Sequence, residues 1–126
     1  GPGGLLDVDF IVQYLQLCHG GRLPSLRVRS SLEALPRLEQ EGLIDTQTAT
    51  WLTQGYRFLR RVENRLRMVR DRSAARLPRH KEGLEVMARR LGYRQQRETT
   101  PGAQLLQDYQ DTTGSIRGIY ERILGR

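Results

Sequence analysis

Two carboxylates near the start of the chain, Asp7 and Asp9, are the first residues whose type and spacing could do chemistry. They follow Gly3-Gly4 and lead into Phe10 and Gln13. Paired acids hold Mg²⁺ or move protons when both reach one point. Residues two apart on a helix point roughly 200° apart, so a regular helix cannot aim both at one ion. Two roles stay open. In a first helical turn each carboxylate can meet unpaired N–H groups and the positive end of the helix dipole. Alternatively, one of them faces a neighbouring catalytic domain and helps to hold Mg²⁺ or orient a substrate. Gly3-Gly4 reads as a tight turn before a helix more readily than as a phosphate loop.

A second constellation is cationic. Arg57, Arg61 and Arg65 recur at four-residue steps and form one ridge of a helix. Arg60, Asn64, Arg67 and Asp71 form another, and Glu63 is placed to pair with Arg67 and Arg60. This ridge is either a solvated face laced with ion pairs or a surface for phosphates, an acidic protein or a nucleic acid backbone. The composition leans the same way. There are 21 Lys and Arg against 14 Asp and Glu, and Lys81 is the one lysine. Arginine offers a planar fork for carboxylates and phosphates.

Other chemistries lack their residues. His19 and His80 have no metal-ligand neighbour at helical spacing. No Walker loop, dinucleotide fingerprint or hydrolase elbow is present. Cys18, the one cysteine, excludes an internal disulfide and fits a cytoplasmic setting. It falls in an apolar run and reads as a packed small hydrophobe. No apolar run is long enough to span a membrane. A nucleic-acid role is disfavoured, because there is no helix-turn-helix signature and aromatics for stacking are few.

The elements that must position these residues are helical almost throughout. Leu6, Phe10, Tyr14 and Leu17, widened by Ile11, Leu15 and Cys18, predict a first helix over Leu5–His19. Gly20-Gly21 would end it in a left-handed cap. A loop with Pro24 follows. Ser30 or Ser31 would cap a second helix that buries Leu32, Leu35 and Leu38 and closes at Gly42. Pro36 inside it implies a kink or a late start. Asp45 would cap the longest helix, running to about Arg72 on Leu52, Tyr56, Leu59, Val62, Leu66 and Val69, with Trp51, Phe58 and Met68 widening the stripe. Leu84, Met87, Ala88 and Leu91 give a short helix ending at Gly92-Tyr93. Thr100-Pro101 would start a final helix, N-cap then first turn, in which Gly114 and Gly118 either weaken it or permit close helix contact. The expectation is all-α: one domain of 126 residues, a bundle of about five helices around one long central helix.

The Gly3, Gly4, Asp7, Asp9, Phe10, Gln13 block and the later Phe58-Leu59-Arg60-Arg61-Val62-Glu63-Asn64 block resemble bacterial glutamine synthetase adenylyltransferase. Gly21-Arg22-Leu23-Pro24-Ser25-Leu26 and the 32–38 segment resemble it too, so the likeness is broad over residues 3–70 and thin beyond about residue 80. A related helical domain occurs in PII uridylyltransferases, and the alternative reading is such a domain or a module that docks PII or glutamine synthetase without shaping an active site. The resemblance implies a helical domain beside a nucleotidyltransferase domain, within an enzyme that attaches AMP to a tyrosine of glutamine synthetase or removes it by phosphorolysis. It implies ATP and Mg²⁺ for that parent enzyme and none for this chain alone. Its partners would be glutamine synthetase, the PII signal protein and a preceding nucleotidyltransferase domain. The metal-binding carboxylates of such enzymes lie in the nucleotidyltransferase domain, so no catalytic or metal residue is carried over. The chain is then expected to be a piece of a longer multidomain enzyme, inert alone. The candidates for a face toward the cleft or a partner are Asp7, Asp9, Gln13, Arg57, Arg60, Arg61, Asn64 and Arg65.

Overall fold

The computed structural model describes residues 3–69, 77, 78 and 80–125. Five α-helices occur among them: α1 (Leu5–His19), α2 (Ser31–Gln40), α3 (Thr46–Val69), α4 (Lys81–Arg90) and α5 (Pro101–Leu124). A 3-10 turn covers Pro24–Leu26. The fold is all-α, as expected; the described residues add one isolated antiparallel bridge, Gln96 to Thr99. One long helix is replaced by two, since α3 and α5 each have 24 residues. Side chains at 68 and 69, Asp71 and a helix end near Arg72 lie outside the described residues.

Local chemistry explains most helix ends. The Asp45 carboxylate accepts the Thr48 backbone N–H at 2.8 Å and caps α3. Thr100 Oγ1 accepts the Ala103 N–H at 3.1 Å, with Pro101 as the first helical residue of α5. α2 and α4 close in the same way. Gly42 and Gly92 take positive φ, and Leu43 and Tyr93 return N–H bonds to Leu38 and Ala88. Three expected ends differ. Ser30 is the N-cap of α2 by position, but its side chain makes no cap bond; its carbonyl accepts the Glu33 and Ala34 N–H groups. Pro36 neither delays nor stops α2, which runs unbroken from Ser31. Gly20 is right-handed, φ −63°, and its N–H bonds to the Gln16 carbonyl.

The chain forms two compact units. The first holds residues up to Arg57 and from Thr112 onward, and the second Phe58–Asp111. α3 contributes to the first unit up to Arg57 and to the second from Phe58. In the first unit Val8, Ile11, Val12, Leu15, Leu26, Leu35, Leu38, Leu52, Ile116 and Ile119 are buried. Gly55 brings α3 against Ile116 and Thr112 of α5, where an added Cβ would meet side-chain carbons at 3.1 and 3.2 Å. In the second unit the core is Val62, Leu66, Met87, Ala88 and Leu105, with Phe58, Leu84, Tyr93 and Tyr109 packed around it.

Burial corrects three sequence expectations and decides between the alternatives of a fourth. On α1 the residues turned inward are Val8, Ile11, Val12 and Leu15, while Leu6, Phe10, Tyr14 and Leu17 are exposed. Cys18 is exposed rather than packed. Trp51 is half exposed and does not widen the buried stripe of α3. Gly114 and Gly118 make no close helix contact, because nothing lies within 4 Å of a Cβ added at either.

Candidate functional site

The first cluster is built on the entry to α1. Gly3 has φ +81°, and a Cβ there would fall 1.9 Å from the Thr113 carbonyl oxygen of α5. Only glycine lets the two backbones approach this closely. Asp7, in the first turn, reaches back to accept the Gly3 N–H. The same carboxylate oxygen accepts Arg117 Nη1 at 3.1 Å, and the Asp7 side chain is only 10% exposed. Arg117 also contacts Glu121 at 3.4 Å and lies 4.3 Å over the Tyr120 ring. The hydrogen bond to Asp7 is the largest influence holding the Arg117 guanidinium in its charged form. Asp7 is thus engaged inside the first unit.

Asp9 turns the other way. It accepts the Ser31 hydroxyl and ties α1 to the start of α2. Gln16 donates to the Leu26 and Val28 carbonyls at 2.7 and 2.9 Å and anchors the intervening loop. Gln13 is exposed. The two acids therefore diverge as their two-residue spacing requires. Among the described residues, no group of three or more His, Cys, Asp or Glu is placed to hold a metal ion.

Arg57 is exposed in the first unit. In the second unit, Arg60 and Arg61 are exposed, with Arg61 lying 5.9 Å over the Phe58 ring. Arg65 is half-buried and donates to the Arg90 carbonyl at 3.2 Å. That carbonyl ends α4, where a cation is favoured by the helix dipole. Arg67 pairs with Glu63 at 3.4 Å, as the spacing predicts, and donates to Asn64 at 3.4 Å. The ridge thus divides in two. Arg65 and Arg67 make contacts within the unit, whereas Arg60 and Arg61 project outward.

Three polar contacts leave no mark in the sequence pattern. Tyr93 donates to Asp108 at 2.5 Å, and burial first, then this carboxylate, push the phenol well above its usual range. Burial and the Glu63 charge raise Tyr109 too. Glu85 accepts the Gly102 N–H at 3.1 Å, and a Cβ on Gly102 would fall 2.6 Å from its other oxygen. A hydrogen bond with Thr100 holds the Glu85 carboxyl below its usual range. Glu85 thereby caps α5 from α4. Contacts between residues 15 or more apart have no periodic trace.

A family model described as GlnD PII-uridylyltransferase matches residues 1–124. The chain belongs to this family. The match to this model runs past residue 80, beyond the two motif blocks. Curated relatives bear another name, bifunctional glutamine synthetase adenylyltransferase/adenylyl-removing enzyme. The one from Xanthomonas campestris pv. campestris is 50% identical over 93 residues, 74% of this chain and 10% of that protein. Those from Xanthomonas axonopodis pv. citri and Aromatoleum aromaticum are 48% and 40% identical, over 75% and 74% of this chain and 10% of each protein. The chain spans about one tenth of the length of these curated relatives. No described helix is long and apolar enough to cross a membrane.

Proposed function

We propose that the chain is a helical accessory segment of a glutamine synthetase adenylyltransferase. In this reading it supports transfer of AMP to a glutamine synthetase tyrosine, or its phosphorolytic removal, in the cytoplasm. The observation that carries the reading is 50% identity over 93 residues to an enzyme of that name. Arg60 and Arg61, with Arg57 and Asn64, are the candidate partner-facing residues, because their side chains are exposed. The charge of the three arginines suits an acidic protein surface or nucleotide phosphates.

Mg²⁺ does not fit the two acids of α1. Asp7 already accepts from Gly3 and Arg117, Asp9 accepts from Ser31, and the two diverge. The metal and nucleotide are assigned to a nucleotidyltransferase domain of the parent enzyme, and the chain alone is expected to be inactive. PII signal protein is a proposed regulatory partner.

The family model favours a second reading, a segment of a PII uridylyltransferase. The two separate by product. The long polypeptide containing this chain should transfer AMP from ATP to glutamine synthetase, detected as a mass increase on one tyrosine peptide. Transfer of UMP from UTP to PII, with none to glutamine synthetase, would establish the second reading instead.

A further inference from the structure

α1 is apolar on two sides. Val8, Ile11, Val12 and Leu15 pack inside the first unit, and Leu6, Phe10, Tyr14 and Leu17 stand exposed, Leu17 at 86%. The exposed four recur at steps of four, four and three residues, so they form one row along the helix. Gln13, also exposed, falls in the same row between Phe10 and Leu17. A single exposed leucine needs no explanation, but a continuous row of large side chains, two of them aromatic, marks an interaction surface.

The row carries no charge. From Leu5 to His19 there is no lysine or arginine, in a chain with 21. The two acids of this helix are turned to Arg117 and Ser31. Charge depletion with aromatic enrichment belongs to the core of a lasting interface rather than to a polar, reversible one. The chain also spans only about a tenth of its curated relatives. A covalently attached surface meets the row at high effective concentration, so no charged rim is needed to steer it.

We propose that this row seats an uncharged, apolar surface from another part of the same long polypeptide. α1 then becomes an internal helix, which accounts for apolar residues on both of its sides. This rests on the reading of the chain as a segment of a larger enzyme, and not on which nucleotide that enzyme transfers.

Cys18 is a built-in reporter, exposed, adjacent to Leu17 and one turn beyond Tyr14. The experiment is pulsed alkylation of the full-length polypeptide with iodoacetamide, read at Cys18 by peptide mass spectrometry. Cys18 should label about ten-fold or more slowly than in the urea-unfolded polypeptide, at every protein concentration. Leu17→Glu should restore most of the labelling rate while the circular dichroism spectrum stays unchanged. Labelling at the unfolded rate would overturn the proposal. So would protection that grows with protein concentration, which would assign the row to a second copy. Protection only after adding glutamine synthetase would assign it to that substrate and equally overturn the proposal, as would protection indifferent to Leu17→Glu. Nucleotide transfer, assayed separately, reports whether the enzymatic reading itself fails.

Discussion

Asp7 and Arg117 are 110 residues apart in the chain and 3.1 Å apart in space. The pair ties the first turn of α1 to α5, and Gly3 joins the same carboxylate. The glycine-rich, acid-bearing opening is therefore explained by packing: one residue permits the close approach and the other fastens it.

Replacing Asp7 by alanine removes the acceptor for both partners. The cost should be about 1–3 kcal/mol, the range for hydrogen bonds to charged groups and for a buried donor left unmet. Asp9→Ala should cost less, about 1 kcal/mol, since it loses one hydroxyl contact in a part-buried site. Urea unfolding followed by circular dichroism would measure both.

Glycines should respond in opposite directions. Gly3→Ala drives a Cβ into the Thr113 carbonyl and strains a positive φ, so it should destabilise by more than about 1 kcal/mol. Gly114→Ala and Gly118→Ala add a methyl to open space inside α5 and should each stabilise by about 0.5–1 kcal/mol. Thermal melts of the three variants would check the signs.

Two capping carboxylates predict acid sensitivity. Glu85 is held below its usual range by Thr100 and then by the Gly102 N–H, and Asp45 by the Thr48 side chain and then the Thr48 N–H. Each folded form binds its proton less readily than the unfolded chain does. Their contribution is therefore present above the unfolded carboxylate range, about pH 4, and is lost as pH falls through the lower folded values. Glu85→Gln and Asp45→Asn should flatten the fall in melting temperature on the acid limb, read by melts across about pH 2–6.

Helix ends were legible because capping is local. Asp45, Thr100-Pro101, Gly42 and Gly92 act within a few residues of themselves, and each does what its type predicts. The inward side of α1 was not legible. Leu6, Phe10, Tyr14 and Leu17 fit a helical face as well as Val8, Ile11, Val12 and Leu15 do, so periodicity finds a stripe without saying which one is covered. Packing against α2, with Asp9 bonded to Ser31, decides it. Arg117 and Glu85 were missed because their partners lie on other helices. The arginine ridge was legible as a ridge, but not its division between Arg65, bonded to the Arg90 carbonyl, and the outward Arg60 and Arg61.

A helical segment that supports adenylyl transfer to glutamine synthetase through its outward arginines should fail when those charges are reversed. The most direct measurement is the rate at which the full-length enzyme adds AMP to glutamine synthetase, with and without the Arg60→Glu, Arg61→Glu double change. Reversing two charges on a contact surface should lower that rate about ten-fold or more, mainly through weaker protein-substrate binding, with the melting temperature unchanged. An unchanged rate, with the double variant folded, would contradict this role for the segment.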